Sequence, residues 1–267
     1  MKRHLFTFLE EILNQVKTAS HSILFLDYDG TLVPICKEPS LAQLSLDTRK
    51  VLRDLSLNPR FSVGIISGRS LREIRKLVGI ERLFYAGNHG FEMVFQNRVW
   101  THPELAGLTS SLKGIVGKLT SQTRGIAGVF VEDKKLTVSI HYRNVKDTSP
   151  GALLALITEI LEPYPQAFTI ARGKKVFEVR PPIDWDKGKA VEELTRLCAL
   201  KSKPLKIYIG DDQTDEDAFG VLLPEDISLR VGYKKGSAAR YFCRGSSEVV
   251  TFLKKLAEEK GISGSGK

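Results

Sequence analysis

The chain has 267 residues, of which 42% are hydrophobic and 27% charged, with a formal net charge of +9. These proportions sit near globular averages and exclude a disordered or fibrous chain; the length favours a medium domain carrying a smaller one. No apolar run approaches the ~20 residues that cross a bilayer, and the basic residues lie in dispersed pairs such as Lys134-Lys135 and Lys254-Lys255, so neither a membrane nor a nucleic acid is expected as a partner.

The first segment places Leu5, Leu9, Ile12 and Val16 at helical spacing, which lays one apolar face on the domain beneath. Acidic and amide residues interrupt it, so it reads as a helix and not a secretory leader. Five short apolar runs then alternate with helical patterns: Ile23 to Leu26, Phe61 to Ile66, Leu83 to Ala86, Lys206 to Ile209 and Ile227 to Val231. That alternation is the pattern of a parallel sheet flanked by helices, an α/β fold. Between the third and fourth runs the pattern changes. A helical stretch from Glu104 to about Gln122 precedes strands at Ala127 to Glu132 and Leu136 to Tyr142. A second helix, Pro150 to Leu161, precedes Phe168 to Ala171 and Val176 to Val179. Helix, strand, strand, repeated, predicts a four-stranded antiparallel layer: an α+β cap inserted into the core. The expected boundaries are 1–100 and 182–260 for the core, 101–181 for the cap, and a flexible Gly/Ser-rich tail at 261–267. Cys36, Cys198 and Cys243 share no metal-ligand spacing and suit a reducing cytoplasm.

Three strands run into polar clusters, Asp27-Tyr28-Asp29-Gly30, Ser67-Gly68-Arg69 and Gly210-Asp211-Asp212, and ligands of open α/β sheets bind beyond the carboxyl ends of strands. Asp27 and Asp29 share a face in extended geometry, and two close carboxylates repel unless a cation or a proton intervenes. Such a pair can supply a nucleophile for phosphorus and a general acid/base. Alone, Asp-x-Asp also reads as a turn. Asp211 to Asp217 adds five acids in seven residues, a crowding that calls for a hard cation, with magnesium suited to a phosphate substrate. Ser67 before the pattern Leu71, Ile74, Leu77 offers an anion site at a helix start, or a simple N-cap. Lys187, followed by Gly188, can place positive charge on transferring oxygens, although an exposed lysine is the default for both Lys187 and Lys189.

Together these elements resemble the haloacid dehalogenase superfamily of phosphatases, whose core is a Rossmann-like parallel sheet. The longer strings Gly87-Asn88-His89-Gly90, Glu132-Asp133-Lys134, His141-Tyr142-Arg143, Arg180-Pro181-Pro182 and Gly210 through Phe219 are similar to trehalose-6-phosphate phosphatases. The resemblance implies Asp27 as nucleophile and magnesium ligand. It implies Asp29 as general acid/base, binding the metal through its backbone carbonyl, and Asp211 as the remaining ligand. Asp212 and Asp215 would support the metal. Ser67 and Lys187 would hold the phosphate, and Gly30, Thr31, Gly68, Arg69, Asn88, His89, Glu132, Lys134, Arg143 and Glu178 the substrate. On spacing alone, Glu132 to Lys134 reads equally as a surface turn, Glu178 as an exposed strand position, and His89 and His141 as hydrogen-bonding core or loop residues. The expected reaction is release of phosphate from a phosphorylated disaccharide, with the synthase a separate protein. The alternatives are another sugar phosphate, such as sucrose 6-phosphate or mannosyl-3-phosphoglycerate, transfer to a sugar acceptor, and a non-catalytic anion-binding module.

Overall fold

A computed structural model describes residues 3–36, 41–96, 98–146, 149–173 and 175–259. The tail expected at 261–267 lies outside them. The described residues fall into two compact units, one formed by the chain up to Trp100 and from Trp185 onward, the other by Thr101–Asp184.

The first unit is built on a nine-stranded sheet. Its elements in chain order are β1 (Arg3–His4), α1 (Leu9–Thr18), β2 (Ser22–Leu26), α2 (Leu46–Leu57), β3 (Phe61–Ile66), α3 (Leu71–Val78) and β4 (Phe84–Gly87). They continue with β5 (Glu92–Phe95) and β6 (Arg98–Thr101) and, in the other unit, α4 (Leu108–Thr123), β7 (Phe130–Asp133), β8 (Val138–His141), α5 (Pro150–Leu161), β9 (Thr169–Gly173) and β10 (Val176–Arg180). The first unit resumes with α6 (Lys187–Leu197), β11 (Leu205–Gly210), α7 (Asp215–Gly220), β12 (Ile227–Val231), β13 (Tyr241–Cys243) and α8 (Ser246–Glu259). The strand order is β1-β13-β12-β11-β2-β3-β4-β5-β6. Pairing is parallel from β1 through β4 and turns antiparallel at β4–β5.

Every residue of β2 and of β12 is buried, as expected for parallel strands covered on both faces. Alternate side chains feed two cores. Leu24, Leu26, Ile207, Ile209 and Leu229 pack with α1, α2, α3 and α8, while Ile23, Phe25, Ile66 and Tyr208 pack with α6 and α7. The hairpin β5–β6, the edge strand β1 and its neighbour β13 were not among the strands expected from sequence. Gly64 shows how tightly the sheet is covered, because a Cβ there would sit inside the Phe84 ring.

The second unit is a four-stranded antiparallel sheet, order β7-β8-β10-β9, with α4 and α5 on one face. Val138, Ile140, Phe177 and Val179 meet Leu112, Ile115, Leu119, Leu153 and Ile157 in a separate core. Two of the boundaries that differ from expectation have a visible cause. The first helical stretch breaks into a short 3-10 turn, Pro103–Leu105, and α4, separated by Gly107 at φ 89°. Strand β7 begins at Phe130 and not Ala127, because Gly128, at φ 89°, packs its backbone against Asn144.

Leu119 is fully buried in this separate core. Leu119→Ala is expected to cost about 2–5 kcal/mol of stability, read as a lowered denaturation midpoint; an unchanged midpoint would show that the second unit does not depend on this core.

Candidate active site

The carboxyl ends of β2, β3 and β11 carry the polar clusters. Asp27 directly follows β2 and is anchored there by its N–H, which donates to the Ile209 carbonyl at 2.9 Å. Its side chain is only 8% exposed. Lys187, the first residue of α6, brings its ammonium to Asp27 Oδ1 and to Asp215 Oδ1, both at 2.7 Å. Lys187 is 2% exposed and Asp215 fully buried, so these are charge-assisted bonds in a desolvated setting. The Tyr208 hydroxyl donates to the same Asp215 oxygen at 2.8 Å, and the Asp212 N–H donates to the other at 2.8 Å. Tyr208 had no place in the sequence reading. One tyrosine inside the apolar run of β11 looks like core.

Asp211, at the end of β11, accepts from the Thr31 hydroxyl at 3.2 Å. Its carboxylate fills the space where Gly30, at φ 85°, would carry a Cβ. The Asp215 carboxylate likewise occupies the Cβ position of Gly210. Carboxylate oxygens of Asp27, Asp211 and Asp215 lie within 4.8 Å of one another. This crowding shows in their protonation. Burial is the main force pushing the Asp27 carboxyl up, with Asp215 and Asp211 adding repulsion against the pull of Lys187. Burial, then Asp215, pushes Asp211 up to about 6. Burial acts on Asp215 in the same sense, but the Lys187 charge and its hydrogen bonds prevail and hold it below its ordinary value. Burial alone would lower Lys187; the Asp215 and Asp27 carboxylates overcome it and keep the ammonium charged.

Asp29 is differently held. Arg69 donates from Nε to Oδ2 at 2.6 Å and from Nη2 to Oδ1 at 2.7 Å, a bidentate fork, while its Nη1 reaches Glu73. The structure thus sets Arg69 on Asp29 and Glu73. Ser67 is 1% exposed and accepts from the Arg69 N–H at 3.2 Å. It is not the helix N-cap, a place taken by Ser70, whose hydroxyl accepts from the Glu73 N–H. The Asn88-His89 turn braces this loop. Both residues have positive φ, 49° and 56°, and such non-glycine strain is held only by surrounding bonds. The Asn88 N–H donates to the Arg69 carbonyl at 2.7 Å, and the His89 N–H to the Ser67 carbonyl at 2.9 Å. The Asn88 amide donates to Glu92 at 2.8 Å, and Glu92 also accepts from the Leu71 N–H. The His89 ring lies where a Gly68 Cβ would stand. Asp212 is exposed, and its structural contribution is the backbone bond to Asp215.

Lys187 enters the site as the first residue of α6. Asp186 caps the helix, accepting from the Lys189 N–H at 2.9 Å. At Gly188 a Cβ would press on the Asp217 carbonyl, so glycine lets α6 lie close to α7.

In the second unit, strand register puts Glu132 and Glu178 on either side of Ser139 in one cross-strand row. Glu132 bonds His141 Nε2 at 2.8 Å. Lys134 lies 3.7 Å from Glu178, which also accepts from the Thr137 hydroxyl at 3.2 Å. These polar groups alternate with the buried apolar ones of the same strands. Arg143 is exposed in the turn after β8.

The fold is that of the haloacid dehalogenase-like hydrolases. One such hydrolase from Bacteroides thetaiotaomicron shares the fold at TM-score 0.62, 14% identity, covering 88% of this chain and 99% of the other. The chain belongs to the trehalose-phosphatase family, whose model matches residues 25–259. It is 37% identical to a probable trehalose-phosphate phosphatase 2 of Oryza sativa subsp. japonica, over 95% of this chain and 72% of the relative. It is 34% identical to trehalose-phosphate phosphatase B of Arabidopsis thaliana, over 94% and 70%. The C-terminal domain of a C. albicans trehalose-6-phosphate phosphatase has the same fold, at TM-score 0.80 and 24% identity, over 97% of this chain and 99% of that one. Among the described residues no helix is long and apolar enough to cross a membrane.

The charge pattern predicts a coupling between pH and metal. An Asp211 carboxyl raised in the folded state binds its proton more tightly than in the unfolded chain, so its contribution to stability falls as pH rises from about 4 through about 6. A cation favours the ionised form. Magnesium is therefore expected to raise the melting temperature more at pH 7.5 than at pH 5; an equal shift at both would contradict this.

Proposed function

We propose that the chain hydrolyses trehalose 6-phosphate to trehalose and phosphate through a phosphoaspartate on Asp27, using magnesium. The observation that carries the chemistry is the pairing of Asp27 with a buried Lys187 beside Asp211 and Asp215. Family membership carries the substrate.

Three carboxylates close enough to share one ion, two of them with raised affinity for a proton, fit a hard divalent cation. Asp27 and Asp211, with the Asp29 carbonyl, would hold it. Asp215, whose two oxygens already accept three hydrogen bonds, serves as the anchor that orients Lys187 and the loop, with Asp212 contributing through its backbone. When bound, magnesium supplies positive charge for the transferring phosphoryl oxygens.

Asp27 attacks phosphorus as the P–O bond to the sugar breaks, and Asp29 delivers a proton to the departing 6-oxygen. Asp29 then takes a proton from the water that attacks the phosphoaspartate, restoring Asp27 and freeing phosphate. Lys187 and Ser67 stabilise the phosphoryl oxygens, and the amides and side chains around Gly30, Thr31, Gly68, Asn88 and His89 shape that pocket. Arg69 belongs to the substrate side of this loop and also orients Asp29. The polar sheet face of the second unit, an inserted cap, supplies sugar contacts through Glu132, Lys134, Glu178 and Arg143. A buried polar set selects for hydroxyls, because an analogue lacking them leaves its partners unpaired. The substrate would come from a separate synthase, in the cytoplasm that the unpaired Cys36, Cys198 and Cys243 suit.

Phosphate release from a panel of sugar phosphates, with magnesium and with excess chelator, tests the reading. Metal-dependent release confined largely to trehalose 6-phosphate is expected. Equal release from sucrose 6-phosphate would remove the substrate assignment, and no release from any ester the chemistry. Asp27→Asn is expected to lower kcat by on the order of 10⁴-fold or more with an unchanged circular dichroism spectrum; near-normal turnover would exclude the phosphoaspartate. Arg69→Lys keeps the charge but loses the fork, and should lower kcat by about 10-fold or more; unchanged kcat would show that Asp29 needs no such orientation.

A further inference from the structure

Behind the acidic loop lies a cation that the chemistry above does not use. Arg230 sits on β12, opposite Gly210 in the parallel register with β11, and is 8% exposed. Its guanidinium is turned entirely toward the loop. Nη1 donates to the Asp212 carbonyl at 3.0 Å and to Glu216 Oε1 at 2.8 Å, and Nη2 donates to the Asp211 carbonyl. Nε finds no partner among the described residues, so the loop is what holds the side chain in place. Glu216 is braced in turn, accepting from the Ala238 N–H at 2.7 Å, with Lys234 at 3.7 Å. Lys234 also donates to Gln213 at 2.6 Å.

We propose that Arg230, with Glu216, is a positioning residue that fixes the Asp211–Asp215 loop and thereby sets the protein's affinity for the divalent cation. Two physical consequences of the geometry support this. The fork draws the carbonyl oxygens of Asp211 and Asp212 toward β12 and so fixes the main chain from which the Asp211 carboxylate projects. By tying two successive carbonyls of the loop to Glu216, the guanidinium also lets the loop keep one conformation before any ion arrives. Only a planar fork can reach two successive carbonyls and a carboxylate at once; an ammonium is a single point charge. Partners that orient metal ligands typically influence affinity by about 10–100-fold.

The proposal rests on the reading of Asp27 and Asp211 as cation ligands, and calorimetric titration of magnesium chloride into metal-free protein separates the two. Wild-type protein is expected to bind. Arg230→Lys and Arg230→Gln should weaken binding by about 10-fold or more, while KM for trehalose 6-phosphate at saturating magnesium stays within about twofold, since Arg230 touches no substrate in this reading. Folded variants that bind magnesium as wild type does would overturn the role of Arg230 and leave the cation site standing. No binding by wild-type protein would take down both. If neither variant folds, Glu216→Ala decides: it retains the arginine and removes its lateral anchor, and unchanged magnesium affinity would overturn the proposal, whereas a loss of threefold or more supports it.

Discussion

The site depends on a single buried ammonium. Lys187 is 2% exposed and held between Asp27 and Asp215, and a charge removed from water in this way is tolerable only if its partners are in place. That requirement ties the start of α6 to the ends of β2 and β11, elements separated by as many as 160 residues. It also explains the glycines around the site. Gly30 and Gly210 leave room for the Asp211 and Asp215 carboxylates, and Gly188 lets α6 approach the Asp217 carbonyl. A methyl at any of the three would push apart groups whose separation sets the balance between burial and attraction.

How much of this is legible in a sequence depends on how each residue is displayed. Parallel strands buried on both faces read as apolar runs, and β2, β3 and β11 each end in a polar cluster, so Asp27, Ser67 and Asp211 stand out. The β5–β6 hairpin does not. Arg98–Thr101 is mostly exposed and mixed in polarity, and β1 and β13 have only two and three residues. Function hidden inside a strand is equally invisible. Tyr208 and Arg230 sit in buried runs where a polar residue suggests only pleat alternation, and Glu92 shows its importance only once Asn88 and the Leu71 N–H converge on it. Arg69 was visible as part of Ser-Gly-Arg, but its fork on Asp29 joins residues 40 apart, and no local pattern encodes that pairing.

The second unit applies the same economy of paired polar groups to a sheet. Its strands alternate, sending Val138, Ile140, Phe177 and Val179 into a core with α4 and α5 and leaving Glu132, Ser139, His141 and Glu178 on the other face. The acids there are already oriented, Glu132 by His141 and Glu178 by Thr137 and Lys134. Groups held in this way lose little further freedom when a hydroxyl replaces or joins a partner, which is the condition the proposed sugar-contacting role of this face requires.

Asp27 and Asp29 are chemically identical and two residues apart, so any division of labour between them must come from their surroundings. Asp27 is almost wholly buried and bonds to a point charge through Oδ1. Asp29 keeps 39% of its side chain exposed and has both oxygens engaged by a planar guanidinium. A carboxylate held through one oxygen can turn the other toward phosphorus without breaking its ion pair. One held through both can exchange a proton only as the fork loosens, and its exposure gives water and a leaving alcohol a way to reach it. Environments that differ in this way suit the proposed roles, Asp27 as nucleophile and Asp29 as proton carrier, without any difference in residue type. The difference between the two rests on two cations, Lys187 and Arg69, brought from α6 and the β3–α3 loop to the end of a single strand.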